Sequence, residues 1–376
     1  LRGSLDTLAA ADWPRWAAGI ETQLRAAEEA AGSDPERPLN LLRDAHHAQV
    51  FRLLIADLNG HLTVERLADH LSALADAVLD LALRSVWRAW HASRGLRDEG
   101  AQAPAPPFAV IGYGKLGGKE LGYASDLDLI FVYDDLQPDA AAVHAQIARR
   151  LVACLTTPTP SGILFEIDLR LRPNGNAGLL VSPIEAFEHY QRNADGHGAW
   201  VWEHQALTRA RWCAGDPQLG ARFERLRREV LARARDPGPL AAEVVAMRRR
   251  MLDGHPNRST RFDLKHDRGG MVDVEFVVQF LVLAHSHRHP ELLDDLGNIR
   301  LLGIAAELGL LEAPLAAAAA DAYRHYRRLQ HALRLNGAPV ARVAHEEART
   351  RIDTVLHLWR SVLGTDEPRP QKPGAG

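Results

Sequence analysis

The hydrophobic period of this chain changes twice, and that change limits the possible folds more than any other feature. From Leu1 to about Arg97 apolar residues recur at helical spacing, as in Val64, Leu67, Leu71, Leu74, Val78 and Leu81. The stretch 101–107, with Pro104, Pro106 and Pro107, cannot continue a helix and reads as a linker. Two short apolar runs follow at 108–111 and 127–133, and 165–172 alternates strictly, so three strands are expected. A helix is expected over 140–155, between the second and third strands. The text Pro-Asn-Gly-Asn-Ala-Gly after Arg172 reads as a turn, and helices resume over 185–207. Beyond Asp216 the pattern is helical to about Leu363, with breaks at 254–261, at Gly269 and Gly270, and at 337–339. The expectation is an α+β fold: a helical region over 1–100, a mixed domain over 101–215, a helical domain over 216–365 and a disordered tail over 366–376.

Charge and cysteine content narrow the function. The net charge of −3 rules out a polybasic nucleic-acid coat, and the cluster Arg248–Arg250 reads as a helix surface. Cys154 and Cys213 are too few for a disulfide framework, which suits a reducing cytoplasm. No apolar run reaches the roughly 18 to 20 residues needed to cross a bilayer. A chain that starts at Leu1 rather than Met is expected to be a piece of a longer polypeptide. Trp200 and Trp202 are expected to pack in a core.

The richest passage runs from Gly112 to Tyr133, and three phosphate-handling patterns compete for it. A Walker loop needs Gly before Lys and then Ser or Thr, which is absent. Gly112, Gly114 and Gly117 spell the dinucleotide fingerprint after a strand, but Asp126 and Asp128 arrive too early for a full intervening helix. The third pattern is a glycine turn followed by Asp-x-Asp at the start of a strand. Alternation puts Asp126 and Asp128 on one face while Leu127 and Leu129 point to the core. Two adjacent carboxylates repel unless a cation lies between them, and a hard cation such as Mg²⁺ takes oxygen ligands and is shared with substrate phosphates. The alternative is a solvated strand end carrying two acids.

The third strand adds to this. Glu166, Asp168, Arg170 and Arg172 would share one face, with Phe165, Ile167, Leu169 and Leu171 on the other. An acid beside two arginines suits a metal ligand beside phosphate donors, because guanidinium binds phosphate bidentately. The competing reading is simple pairing of the acids with the arginines. His285, His287 and His289 read as a solvated turn at a helix end rather than a metal site.

The glycine signature, Asp126-x-Asp128 and the later Asp168 resemble the polymerase-β-type nucleotidyltransferase superfamily. More closely, Gly112-Tyr-Gly-Lys-Leu-Gly-Gly, Ser125-Asp-Leu-Asp-Leu-Ile-Phe, Asp168-Leu-Arg-Leu-Arg-Pro and Trp202-Glu-His-Gln-Ala-Leu-Thr-Arg-Ala-Arg211 are similar to the glutamine-synthetase adenylyltransferase family. Arg261-Phe-Asp-Leu-Lys265 and Gly269-Gly-Met-Val-Asp-Val-Glu-Phe276 resemble the helical domain that follows its catalytic domain. The resemblance runs from about residue 40 to 350. It implies a polymerase-β-like core with a mixed sheet, flanked by helical domains. It also implies transfer of AMP from ATP to a tyrosine of glutamine synthetase, with a PII signalling protein as regulator and neither nucleic acid nor membrane as partner. That family has two similar halves, one adenylylating and one removing AMP by phosphorolysis. One module is present here, and its wording is nearer the C-terminal, adenylylating half.

By the same resemblance, Asp126, Asp128 and Asp168 are the catalytic acids and the ligands of two Mg²⁺ ions. Gly112, Gly114, Gly117 and Gly118 would bring backbone close to the nucleotide. Lys115, Ser125, Arg170 and Arg172 would be its side-chain partners, and for Lys119 a solvent-facing position is as well supported. Phosphorolytic deadenylylation and an inert regulatory binding module are the competing functions. For Asp263, Lys265, Asp273 and Glu275 a capping or interface role is at least as well supported.

Overall fold

The computed structural model describes residues 11–30, 34, 36–94, 106–193, 196, 198–294 and 297–364. Most of the expected linker and the expected tail over 366–376 lie outside the described residues. The chain forms two compact units, 1–231 and 232–376. The architecture is α+β, with helices around a small mixed sheet in the first unit and a helical second unit.

The first unit opens with helices α1 (Trp13–Ala30), α2 (Arg37–Leu58) and α3 (Val64–Ser93). Thr63 starts α3, its hydroxyl accepting from the Arg66 amide at 3.3 Å, which satisfies one of the unpaired donors of the first turn. The helical spacing of Leu67, Leu71, Leu74, Val78 and Leu81 then buries one stripe. That stripe shares a core with Phe108, Val110, Leu127, Leu129 and Phe131 of the sheet.

The sheet contains β1 (Phe108–Gly112), β2 (Leu127–Tyr133), β3 (Ile167–Asp168), β4 (Val181–Pro183) and β5 (Arg211–Gly215). Strands β1 and β2 are antiparallel, from Phe108 opposite Tyr133 to Gly112 opposite Leu129. The order is β3-β2-β1-β5, with β4 also beside β2. Both β3 and β4 run parallel to β2, one against its first residues and the other against its last. Between β1 and β2 lies a single helical turn, α4 (Gly114–Gly117), and α5 (Ala140–Thr156) follows β2. Helices α6 (Ile184–Arg192), α7 (Val201–Leu207) and α8 (Pro217–Leu231) complete the unit.

Strand β2 is buried at every position except Asp128, which is half-buried. A continuous apolar run of this kind belongs to a strand covered on both faces.

The second unit holds α9 (Pro237–Gly254), α10 (Met271–His285), α11 (Asn298–Glu307), α12 (Ala313–Leu335) and α13 (His345–Leu363). The two-residue strands β6 (Phe262–Asp263) and β7 (Arg342–Val343) pair antiparallel. Asp273 organises the start of α10. Its carboxylate accepts from the Gly269 amide at 2.7 Å, from Arg248 Nε at 2.6 Å and from Arg268 Nη1 at 2.9 Å. Asp263 accepts from the amides of Lys265 and His266, and Glu275 accepts from the Tyr323 hydroxyl. His285 ends α10, and His287 and His289 lie in the turn beyond it.

Three expectations are corrected. The strand expected over 165–172 covers only Ile167–Asp168, because the Asp168 carboxylate accepts the Arg170 amide at 2.8 Å and closes a turn. Arg170 and Arg172 therefore leave the strand face. Arg248 is not on a helix surface but fully buried against Asp273. Trp200 is not a core residue: it is 68% exposed at the start of α7. The short strands β4 and β5 carry no period long enough to read in advance.

Candidate active site

The site is built where β2 begins. The Tyr113 amide donates to the Asp128 carbonyl at 2.8 Å, tying the glycine turn to the strand beside it. Gly114 then adopts φ +55°, the left-handed region, and a Cβ there would lie 2.0 Å from Asp128 Oδ2. Only glycine lets the chain turn with the carboxylate seated against it.

Asp126 lies exposed just before β2, and the Leu127 amide donates to the Glu166 carbonyl at 2.9 Å. That bond starts the parallel pairing that sets Asp128 opposite Asp168. Neighbouring register partners on parallel strands project to the same side, so the two carboxylates stand in one row.

Their countercharge is Arg170. Its Nε donates to Asp168 Oδ1 at 3.0 Å and to Oδ2 at 2.8 Å, and its Nη2 also donates to Oδ2. These hydrogen bonds hold the Asp168 carboxyl below the usual carboxylate range, against the opposing effect of burial. The Arg170 guanidinium is held charged by Asp168 first and by Asp128 and Asp126 as well, so all three acids act on one cation. Its own side chain is 74% exposed. As they stand, no group of three or more His, Cys, Asp or Glu among the described residues is arranged to hold a metal ion.

The other anticipated residues divide by environment. Arg172 knits the turn after β3, donating to the carbonyls of Leu169 at 2.7 Å, Asn176 at 3.1 Å and Gly178 at 3.2 Å. Ser125 closes the turn before Asp126, its hydroxyl accepting from the Gly122 amide at 3.1 Å. Lys115 is half-buried on α4, and Lys119 is exposed. Gly112, Gly117 and Gly118 are packed from behind. A Cβ on Gly112 would meet Cys213 Sγ at 2.6 Å, one on Gly117 the Arg209 carbonyl at 2.0 Å, and one on Gly118 the Arg209 guanidinium at 2.6 Å. The amides of Gly117 and Gly118 donate to the carbonyls of Tyr113 and Gly114. Among the four glycines, Gly114 is the one whose missing Cβ makes room for a carboxylate, that of Asp128.

Sequence reasoning missed the buried pairs that support this turn. Arg209 Nη2 meets Glu120 Oε2 at 2.6 Å, with both side chains under a tenth exposed. Arg211 meets Asp76 of α3 through both terminal nitrogens, at 2.7 and 2.9 Å. Glu203 accepts from the Tyr190 hydroxyl at 2.8 Å and from the Trp200 amide at 2.9 Å, and burial pushes its carboxyl up. Arg209, Arg211 and Glu203 fall within the motif Trp202–Arg211.

Residues 4–226 match the family model of glutamate-ammonia ligase adenylyltransferase, and residues 240–345 match that of GlnD PII-uridylyltransferase. The chain is similar to a bifunctional glutamine synthetase adenylyltransferase/adenylyl-removing enzyme of Aromatoleum aromaticum, 55% identical over 94% of this chain and 36% of the relative. It is likewise similar to the protein of the same name from Bordetella bronchiseptica, 56% identical over 88% of this chain and 34% of the relative. With that of Nitrosomonas europaea it shares 48% identity over 94% of this chain and 38% of the relative. The chain thus spans a little over a third of the length of these relatives. Since the first of the two family models covers more than half of its residues, the chain belongs to the glutamate-ammonia ligase adenylyltransferase family.

Proposed function

We propose that this chain transfers AMP from ATP to a tyrosine hydroxyl of glutamine synthetase, releasing pyrophosphate, as the adenylylating half of a longer enzyme. The observation that carries the reading is the row formed by Asp128 and Asp168 on adjacent parallel strands, with Asp126 at its mouth and one cation, Arg170, acted on by all three. Residues 101–215 are read as a polymerase-β-like nucleotidyltransferase core, with helical domains over 1–100 and 216–365.

The chemistry of the donors suits Mg²⁺, though the three acids are not gathered around a metal position as they stand. Carboxylate oxygens are the hard ligands it takes, and these three already neutralise a positive group of the protein itself. Asp126, Asp128 and Asp168 would hold the metal, which is expected as two ions. When bound, Mg²⁺ supplies the charge that stabilises the attacking and leaving oxygens of an in-line displacement.

The chain's own residues do the rest. Arg170 is exposed and held by Asp168 through its side chain and turn amide, so it can exchange the Asp168 carboxylate for a phosphate oxygen of ATP. Asp168 is a weak base while Arg170 holds its pKa down, and its oxygens become able to accept the tyrosine proton once that pair opens. Arg172 keeps the turn in place through three carbonyls, and Gly114 keeps Asp128 from being pushed aside. The match of residues 240–345 to a PII-uridylyltransferase family supports a PII protein as regulator.

The printed names of the relatives carry both transfer and removal of AMP, so phosphorolysis is the second reading. ATP labelled on the α-phosphate, mixed with Mg²⁺ and glutamine synthetase, should leave label on the synthetase, whereas γ-label should not. Release of ADP from adenylylated synthetase with orthophosphate, and no transfer from ATP, would support phosphorolysis instead. Asp126→Asn should abolish transfer with little change in melting, because Asp126 is exposed. Undiminished transfer by that variant would defeat the assignment of the acids.

A further inference from the structure

Helix α2 is more than a hundred residues before β3, yet it touches the segments leading to both sets of acids. Arg43 is fully buried. It donates from Nε to the Gly162 carbonyl at 2.8 Å, and from Nη2 to the carbonyls of Cys154 at 2.9 Å and Thr157 at 2.7 Å. One guanidinium thereby joins the end of α5 to the chain that leads into β3. His47 Nε2 meets the Ile163 carbonyl at 3.1 Å, and the His46 ring lies 4.8 Å from that of Phe165. At the other end of the same helix, Asp57 Oδ2 accepts from the Tyr123 hydroxyl at 3.1 Å, in the turn just before Asp126. A helix rises about 1.5 Å per residue, so Arg43 and Asp57 are the ends of a stiff rod about 21 Å long.

That rod matters because β3 is only two residues long. Its register rests on the pairs Leu127 with Ile167 and Asp128 with Asp168, and a pairing this short does not define itself in isolation. Something outside the strand must hold the lead-in still, and the contacts from α2 converge on it.

We propose that helix α2 is a positioning element of the active site: Arg43 and His47 hold the lead-in to Asp168, and Asp57 holds the turn before Asp126, so that the carboxylates act on a common cation. The inference rests on the reading of Asp126, Asp128 and Asp168 as the metal-holding set. These helix residues touch neither substrate nor metal; they act through the backbone of the acid-bearing segments.

The test uses the intact polypeptide and Mn²⁺ alone as a spectroscopic probe, measured by electron paramagnetic resonance without nucleotide. The variants are Arg43→Lys, which keeps the charge but loses the fork, and the double variant His47→Ala with Tyr123→Phe, which removes two partly exposed hydrogen bonds. Supporting groups around a metal site are worth roughly 10- to 100-fold in metal affinity, and at least a tenfold loss of Mn²⁺ binding is expected in both variants. Adenylyl transfer should show lower kcat and a higher Mg²⁺ requirement, with KM for ATP within about twofold; melting should change little in the double variant, whereas Arg43→Lys, which leaves buried carbonyls unpaired, should also lower the melting temperature.

Wild-type Mn²⁺ binding in both variants would overturn the proposal. So would losses of affinity and kcat in the double variant that merely follow a fall in its melting temperature. Asp128→Asn is measured in parallel. If it binds Mn²⁺ normally, the metal reading fails and takes the proposal with it; if it loses Mn²⁺ while the helix variants do not, the positioning role alone fails.

Discussion

Gly114→Ala separates the chemistry of the glycine turn from its packing. The new side chain would have to adopt φ +55°, which costs an L-residue about 1 to 2 kcal/mol. Its Cβ would also sit 2.0 Å from Asp128 Oδ2 and 2.9 Å from Cγ, so the carboxylate must move. Asp128 is half-buried and can rotate, and the collision is relieved at the expense of the site rather than of the fold. For a unit of this size, about 1 to 2 kcal/mol lowers the melting temperature by roughly 2 to 8 °C. On the proposed reading of Asp128 as a metal-holding acid, displacing its carboxylate should lower transfer by about 10²-fold or more.

Gly117→Ala is the control. Its Cβ would meet the carbonyls of Arg209 at 2.0 Å and Gly112 at 2.5 Å, both backbone, and Arg209 is anchored by buried Glu120. Nothing there yields cheaply, so the loss should appear as stability, about 3 kcal/mol or more. Calorimetry alongside transfer of α-labelled AMP reads both quantities. Wild-type transfer by Gly114→Ala, or wild-type stability of Gly117→Ala, would refute the account of the turn.

Three further outcomes are expected. Arg170→Ala should raise KM for ATP about tenfold by removing a charge-assisted contact, with melting nearly unchanged because an exposed pair contributes little; unaltered nucleotide affinity would contradict the role of Arg170. Burial, aided by the His47 charge, lowers the His46 pKa to about 3 from 6.5, so the folded protein binds fewer protons than the unfolded chain in between. Stability from this group is complete above pH 6.5 and falls with acid by about 1.4 kcal/mol per pH unit between pH 6 and 4, and His46→Phe should flatten that slope in urea titrations. Asp273→Ala should cost the second unit about 3 to 5 kcal/mol, because it strands Arg248, fully buried, without its partner carboxylate; a chemical-denaturation midpoint like that of wild type would show that other groups neutralise Arg248.

What local pattern could reveal, it revealed. The placement of Asp128 was legible because a strand turns alternate residues to one face while Leu127 and Leu129 are buried, and Asp126 stands just before that strand. The stripe of α3 was legible from the 3.6-residue period, and the glycine turn from its density of residues without Cβ. Only the folded chain decided the rest. Arg170 and Arg172 fit the alternating pattern of a strand, but the Asp168 side chain captures the Arg170 amide and ends β3 at once. That competition between side chain and ladder has no period to read. The same holds for Arg43 with Gly162, 119 residues apart, for Arg211 with Asp76, and for Arg248 with Asp273. A buried guanidinium is defined by carbonyls and carboxylates brought to it from distant segments. Hydrophobic spacing along one segment specifies which face turns inward, and it contains nothing about which polar groups will be waiting there.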